Sequence, residues 1–248
     1  MTSAHAFEPK PSAAALRRYR AKLFRIVEAQ HSISTDRLVD GAAEQEVLEG
    51  LIEATKPTMP PEAGKLHHLL GTPFRYGYAK ETRFRRAHER PGVFYASERQ
   101  GTAVAEAAYW RMRFFAASPG MKLPKTTLEH LAYSIPVAVD RALDLTMAPL
   151  DVGRTLWTDP NDYGACQRLA ERARALNRQF VRYESARDPF GGANAAVFDP
   201  SAFQKPVPTN EQTWHFRFAG SKLTAFAALP SRERFDFTFA QFGLSAPS

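Results

Sequence analysis

Hydrophobic and polar positions alternate along several short stretches of this chain, and these stretches predict strands. The first is LFRIVEA, residues 23–29. Others are residues 92–97, one or two strands within residues 131–146, and five strands after residue 179, in FVRYESAR, NAAVFDP, WHFRFAG, KLTAF and RFDFTF. Because strands and helices do not alternate regularly and the strands gather near the end, the pattern predicts an α+β fold with short, mixed or antiparallel strands.

Apolar positions at helical spacing predict three helices that flank these strands. Thr35 or Asp36 would cap the first helix, which ends near residue 55. Its inward positions are Leu48, Leu51, Ile52 and Thr55. The second helix spans about residues 100–115, with an apolar stripe of Ala105, Ala108, Tyr109 and Met112. The third spans about residues 162–177, with Cys166, Leu169, Ala173 and Leu176 facing inward.

Length and composition indicate one domain. Within the 248 residues there is no internal repeat and no strong linker between residues 20 and 240, so residues 21–245 are expected to fold together after a flexible tail, residues 1–20. No apolar run approaches the roughly 20 residues of a membrane span, and the first residues do not resemble a secretory signal. The single cysteine, Cys166, fits a reducing compartment. We therefore expect a cytoplasmic protein without a membrane partner.

The net charge of +7 permits three classes of partner: nucleic acid, a phosphorylated small molecule or an acidic protein. Familiar motifs for several chemistries are absent from the sequence. It has no P-loop, Rossmann turn, CxxC, HExxH or GxSxG. The adjacent pair His67 and His68 lies in a polar stretch and is expected to be a surface loop feature, not a metal site. Standard hydrolase, kinase and zinc chemistry therefore have no support.

The predicted helix at residues 100–115 contains one acid, Glu106, among small apolar residues. On a helix, Glu106 shares a side with Tyr109 and Trp110. A carboxylate there needs a partner or a purpose, because an unpaired buried charge is costly. Either Glu106 is a half-exposed acid paired with Arg113 or Arg99, or it is a functional carboxylate.

Two arginines stand next to predicted strands and are candidates to bind phosphate. Arg25 interrupts the apolar LFRIV, so it either extends to solvent or binds a ligand. Arg83, in TRFRR, shortly precedes a strand, and a guanidinium matches phosphate oxygens. Tyr95 shares a strand face with Val93, which allows core packing or stacking on a ligand ring.

A late segment, YESARDPFGGAN, supplies three further polar candidates on a strand and a glycine-rich turn. They are Ser185, Arg187 and Asn194. An ordinary turn would also account for them.

Taken in order, these segments resemble the RES-domain family, which is named for its arginine, glutamate and serine. The resemblance covers about residues 23–200: LFRIVEAQ, HHLLGTPFRYG, TRFRR, GVFYASERQGTAVAEAAYWR and VRYESARDPFGGANAAVF. Members are toxins of bacterial toxin–antitoxin pairs. The resemblance implies a fold similar to that of ADP-ribosyltransferases, with residues 21–245 as the catalytic domain, and degradation of NAD+ by phosphorolysis or by transfer of ADP-ribose.

Position by position, Glu106 matches the motif glutamate, Ser185 the motif serine and Tyr95 the strand aromatic. Glu106 is expected to bind a hydroxyl of the nicotinamide ribose and to stabilise an oxocarbenium ion. Tyr95 would stack near the nicotinamide, and Ser185 would orient that half of the ligand. Because nicotinamide leaves as a neutral base, one carboxylate suffices, unlike the paired acids of most glycosidases.

Arg25 matches the first family arginine and Arg83 the second, with Arg75 as an alternative for the second. These side chains would hold the pyrophosphate or an incoming inorganic phosphate. The resemblance implies no resident cofactor and no metal: NAD+ is the substrate and inorganic phosphate the expected co-substrate. Compared with short members, this chain has additional segments at residues 30–70 and after residue 200.

Three alternatives remain open at the level of sequence. The same pocket would serve an ADP-ribosyltransferase that modifies a protein. The basic surface would serve a nucleic-acid-binding module without catalysis, although no basic helix or aromatic-basic interleaving supports one. An inactive protein would only bind its partner. The family implies an antitoxin partner of the helix-turn-helix type and a homodimer.

Overall fold

The computed structural model describes residues 15–29, 38–118 and 120–247. Its strands are β1 (Leu16–Glu28), β2 (Phe94–Ser97), β3 (Leu128–Asp144), β4 (Phe180–Glu184), β5 (Ala193–Val197), β6 (Thr209–Ala219), β7 (Lys222–Ala227) and β8 (Arg234–Thr238). Its α-helices are α1 (Ala42–Thr55), α2 (His68–Arg75), α3 (Gln100–Ala116), α4 (Arg154–Trp157) and α5 (Gly164–Ala175). No helix within these residues is both long and apolar enough to span a membrane.

All eight strands belong to one mixed sheet in the order β1-β2-β5-β4-β3-β6-β7-β8. A further pairing joins β1 to β3 along most of their length, so β1, β2, β5, β4 and β3 form a closed cycle. The β3–β4 pairing is parallel and the others are antiparallel. The predicted α+β fold with a mixed sheet is confirmed. The strands were predicted to be short, and β1, β3 and β6 are long.

Helices cover two regions of this sheet. Small apolar residues let α3 lie close to the β6–β8 extension, where Met112 packs with Trp214 and Phe216. On the other side, α4 and α5 pack with β4 and β5, and Trp157 and Cys166 are buried there. The helix that contains Glu106 also contacts β1 and β2, so it packs against both the strand cycle and the extension.

Local periodicity predicted several of these elements correctly. The helix expected at residues 100–115 is α3, and its predicted stripe is buried. The expected strand at residues 131–146 is the single strand β3, and the five late strands are β4 to β8. The helix expected at 162–177 is α5, but Leu176 is 47% exposed because it lies at the helix end instead of facing inward.

The N-terminal predictions need correction. β1 begins at Leu16, so residues 16–20, expected within the flexible tail, form part of the sheet; residues 1–14 lie outside the described residues. Pairing with β3 explains this extension, which the arginine-rich sequence conceals. Thr35 and Asp36, the expected caps, also lie outside the described residues. The helix α1 begins at Ala42, and none of its side chains is buried, so its apolar positions do not pack inward as predicted.

The short helix α2 was not predicted. His67 and His68, expected in a loop, form its start, and the His67 side chain accepts a hydrogen bond from the Leu69 amide. A proline inside the segment argues against a helix on local grounds. Burial of Leu70 and Phe74 stabilises the helix nevertheless.

Candidate active site

A cavity of about 300 Å³ opens where β1, β2 and α3 meet the segment between β4 and β5. Six of the eight predicted site residues line it, and a seventh, Ser185, is next in the chain to a lining residue. The predicted residues that line it are Arg25, Arg83, Tyr95, Glu106, Arg187 and Asn194. Ser185 adjoins it through a hydrogen bond to Glu106. Glu106 is the one acid among the lining residues, all of which belong to the described part of the chain.

Glu106 is held by two hydrogen-bond donors on the same carboxylate oxygen. Ser185 Oγ and Asn194 Nδ2 each donate to Glu106 Oε1 at 2.6 Å. The Asn194 amide is itself oriented, because its Oδ1 accepts a hydrogen bond from Ser97 Oγ at 2.7 Å. No residue of the described ranges donates to Oε2. One oxygen therefore fixes the carboxylate, and the other is available to a ligand.

The Ser185 hydroxyl has a defined direction. It accepts hydrogen bonds from the backbone amides of Arg187, at 3.1 Å, and Asp188, at 3.0 Å. Since a serine hydroxyl has one proton and both amides are donors, that proton points to Glu106. Ser185 is buried, so water does not compete for these bonds.

Arg25 extends from β1 into the cavity wall with an unsatisfied nitrogen. Its guanidinium lies 5.0 Å from the centroid of the Phe94 ring. Its Nη1 is buried and has no hydrogen-bond partner among the described residues. A buried N–H without an acceptor costs about 1–3 kcal/mol, and a bound ion or ligand is one of the ways in which such a group is satisfied. An anionic ligand would supply the missing acceptor.

Arg83 is a buried cation held by neutral groups. Its Nη1 donates to the Trp157 carbonyl at 2.7 Å and its Nη2 donates to the Asp159 carbonyl at 2.9 Å. The guanidinium also lies 5.0 Å from the Tyr163 ring centroid. It forms no ion pair with a carboxylate of the described residues. Its positive charge is thus positioned but not neutralised.

Arg187 is held in a similar way, and it shares Tyr163 with Arg83 as a contact. Its guanidinium lies 3.8 Å from the Tyr109 ring centroid, and its Nη2 donates to the Pro160 carbonyl at 2.5 Å and to Tyr163 Oη at 3.3 Å. Aromatic faces and carbonyl groups orient both Arg83 and Arg187 without cancelling their charge. The cavity therefore combines one carboxylate with three arginines.

Tyr95 presents a neutral ring to the cavity. Its hydroxyl accepts a hydrogen bond from the Phe84 amide at 3.0 Å and lies 2.8 Å from Thr82 Oγ1. Burial raises the pKa of Tyr95 to about 12, although these two hydrogen bonds oppose the shift. The hydroxyl therefore stays protonated at neutral pH, and its position fixes the ring.

A second, larger cavity of about 840 Å³ adjoins the first. Both are lined by Arg25, Thr82 and Tyr95, so the two spaces share one wall. The outer cavity also reaches Arg85 and Tyr78. The two cavities are thus neighbours, with Arg25 in the lining of both.

Arg75 lies outside both cavities. It forms an ion pair with Glu53 at 2.6 Å, and its Nε donates to the Pro57 carbonyl. It thus connects α2 to α1 and to the proline-rich loop. Of the two arginines considered for the second family position, the structure brings Arg83 to the cavity and leaves Arg75 away from it.

Sequence reasoning missed several residues of the site. Ser97 orients Asn194, Tyr163 contacts two arginines, and Asp188 bonds the segment that contains Ser185. Only Asp188 had a usable signal: aspartate shortly before a glycine pair often bonds nearby amides. The other two depend on strand pairing and on helix packing.

A family model described as the RES domain matches residues 60–219, which is more than half of the chain. Arg83, Glu106 and Ser185 lie inside this range, and Arg25 precedes it. No curated protein matches the chain. Among solved structures, "Crystal structure of the M.tuberculosis MbcT-MbcA toxin-antitoxin complex" contains a similar chain with a TM-score of 0.45 and 14% identity, over 93% of this chain and 91% of that one. By its match over residues 60–219, the chain belongs to the RES domain family.

Proposed function

We propose that this protein is a toxin that depletes NAD+ by cleaving its nicotinamide–ribose bond. The observation that carries the proposal is the composition of the cavity: its lining has a single carboxylate, Glu106, and three arginines that form no ion pair with the residues described by the structure. NAD+ has the matching charges: its pyridinium ring, attached to the nicotinamide ribose, is cationic, and its pyrophosphate is anionic. Membership of the RES family supports the same substrate.

Glu106 would act through its free oxygen. With Oε1 occupied by Ser185 and Asn194, Oε2 accepts a hydroxyl of the nicotinamide ribose. The negative charge then stabilises the oxocarbenium character that develops as the C–N bond breaks. The electron pair of that bond moves to the pyridinium nitrogen, so nicotinamide leaves as a neutral base and needs no proton. A second carboxylate is therefore unnecessary.

The arginines would bind the anionic parts of the reaction. Arg25 has a nitrogen that finds no acceptor in the described part of the chain, and it lines both cavities, where a pyrophosphate would pass. Arg83 and Arg187 would hold an incoming inorganic phosphate. A phosphate oxygen then bonds to the ribose carbon released by nicotinamide. The products are nicotinamide and ADP-ribose-1″-phosphate, and Tyr95 would stack near the nicotinamide ring.

Control of such an activity requires an inhibitor in the same cell. We propose a cognate antitoxin of the helix-turn-helix type that covers the cleft, together with a homodimeric, cytoplasmic toxin. These features follow from the family and not from a described contact. Co-purification of the two gene products, followed by measurement of NAD+ turnover, would test the inhibitor.

Incubation of purified protein with NAD+, with and without inorganic phosphate, tests the reaction by mass spectrometry of the products. The proposal expects phosphate-dependent loss of NAD+ and phosphorylated ADP-ribose, with Glu106→Ala inactive. Loss of NAD+ without phosphate would instead indicate hydrolysis or self-modification. ADP-ribose attached to an added protein would identify a protein-directed transferase. Intact NAD+ under all conditions would refute the proposal, and salt-dependent DNA binding would then favour the nucleic-acid-binding alternative.

A further inference from the structure

The segment between β4 and β5 is closed by one buried carboxylate, that of Asp188. Its Oδ2 accepts hydrogen bonds from Thr102 Oγ1 at 2.7 Å and from the Gly192 amide at 3.0 Å. Its Oδ1 accepts from the Phe190 amide at 2.9 Å. The side chain is only 3% exposed, and the nearest cation, Arg99, reaches it at 4.0 Å. Three donors therefore satisfy a charge that lies almost out of water.

These bonds join the segment to the helix that contains Glu106. Thr102 lies four residues before Glu106, one turn earlier on α3. The approach is close, because a Cβ at Gly192 would lie 2.0 Å from Thr102 Oγ1 and 2.3 Å from Asp188 Oδ2. Only glycine fits there. The segment and the helix are consequently in fixed register.

The register matters for the hydroxyl that orients Glu106. The amide of Asp188 donates to Ser185 Oγ, and Ser185 Oγ donates to Glu106. Asp188 therefore contacts both ends of this arrangement, through its backbone at Ser185 and through its side chain at α3. Neither Asp188 nor Thr102 lines the cavity, so neither is placed to touch a ligand.

We propose that Asp188 is a positioning residue: by bonding Thr102 and Gly192, it holds Ser185 at the distance from Glu106 that the reaction requires. The inference rests on the proposed function for its kinetic test, because the reaction is that of Glu106. Its geometric content stands apart from the reaction. Loss of the Asp188 contacts moves Ser185 relative to Glu106 whether or not NAD+ is the substrate.

Asp188→Asn is the direct test. Asparagine has one acceptor oxygen, so it cannot serve the Phe190 amide and the pair of Thr102 and Gly192 donors together. Misplacement of a catalytic group by about 1 Å costs on the order of 10²-fold in rate. We expect kcat to fall by that order while KM for NAD+ changes less than about threefold, because the ligand contacts remain.

Thr102 provides a second test that does not depend on whether Asp188→Asn folds. Thr102→Val removes the hydroxyl with little change of shape, and its kcat is expected to fall about tenfold. Thr102→Ser restores a hydroxyl and is expected to recover most of that loss. This difference separates loss of the hydrogen bond from loss of packing.

A control pair lies at the end of the sheet and lines neither cavity. Thr224 Oγ1 donates to Asp236 Oδ1 at 2.6 Å, between β7 and β8, away from the cavity. Asp236→Asn and Thr224→Val remove a similar Thr–Asp bond and are expected to leave kcat unchanged. If the Asp188 and Thr102 variants lose no more activity than these control variants, and the loss is proportional to the fraction of unfolded protein, the positioning role is overturned.

A crystal structure of Asp188→Asn distinguishes failure of this inference from failure of the proposed function. A Ser185 Oγ to Glu106 Oε1 distance beyond about 3.5 Å supports positioning, even if the wild-type protein leaves NAD+ intact. An unchanged distance of 2.6 Å, or kcat within twofold of wild type, overturns it. Intact NAD+ with wild-type protein refutes only the substrate.

Discussion

Ser185 and Glu106 are 79 positions apart in the chain, yet their side chains are joined by a 2.6 Å hydrogen bond whose direction two backbone amides determine. Asn194 donates to the same carboxylate oxygen. The carboxylate is thus oriented by protein groups through one oxygen only. Because one oxygen is structural and the other is reactive, a conservative substitution can test the role of Glu106.

Glu106→Gln should abolish most activity while preserving the site. The glutamine carbonyl still accepts from Ser185 and Asn194, but an NH₂ group replaces the free oxygen and the charge is lost. Removal of one electrostatic stabiliser costs about 10²–10³-fold in kcat. Nicotinamide release measures the effect, with Glu62→Gln, on an exposed turn, as control. Undiminished turnover in a folded variant would contradict the assigned role.

Arg25→Met should weaken binding of NAD+ without weakening the fold. The Arg25 Nη1 is buried and no residue within 15–29, 38–118 and 120–247 accepts from it, so methionine removes an unsatisfied donor. A hydrogen bond to a charged group contributes about 1.5–3 kcal/mol, which corresponds to a rise in KM of about 10- to 150-fold. Initial rates at varied NAD+ give KM, and thermal unfolding gives Tm. A lowered Tm with unchanged KM would assign Arg25 a structural role instead.

Arg75→Met is the natural comparison, because Arg75 makes its contacts outside the cleft. Its ion pair with the exposed Glu53 contributes about 0–1 kcal/mol to stability. We expect Tm to fall slightly, while kcat and KM for NAD+ stay close to their wild-type values, because no contact with the ligand is lost. A large loss of activity here would return Arg75 to the second arginine role and remove Arg83 from it.

Glu98→Gln tests how the strand cycle responds to pH. Burial disfavours the Glu98 charge, but hydrogen bonds from Arg182 and Tyr19 outweigh this and hold its pKa below its usual value. Its contribution to stability is therefore present above about pH 4.5 and is lost as the pH falls through the folded-state pKa.

Urea unfolding at pH 7 and at pH 3.5 measures this dependence. At pH 7 the Glu98→Gln variant is expected to be less stable than wild type by about 1–3 kcal/mol, and the difference should shrink at the lower pH. Glu233→Gln, an exposed carboxylate, should show no such pattern. A difference that stays constant between the two pH values would show that the charge of Glu98 is not the cause.

Local signals were sufficient for the elements that contain most of the site. The stripe that ends in Met112 predicted α3, and alternation predicted β2 with Tyr95. Both patterns arise within one element, where neighbouring residues decide which face is buried. The order of motifs in the chain then predicted Glu106, Arg83 and Ser185 as partners in one site.

Long-range contacts account for what the sequence did not reveal. Residues 16–20 form part of a strand because they pair with β3, which lies more than a hundred positions later in the chain. Likewise, α2 forms despite Pro73 because Leu70 and Phe74 find a core. The sequence left Arg75 and Arg83 as alternatives, since both lie near the motif and only tertiary structure separates them. The role inferred for Asp188 depends on its hydrogen bond to Thr102, which lies 86 positions away in the chain.

The closed strand cycle has a consequence for the synthesis of this protein. Arg25 belongs to β1, whereas Asn194 belongs to β5, the last strand of the cycle to be translated. A chain that ends before β5 contains Glu106 without Asn194, and its β2 and β4 lack the strand that joins them. The pocket is thus assembled only late in translation, so the ribosome carries an incomplete site for most of the time that the chain is being made.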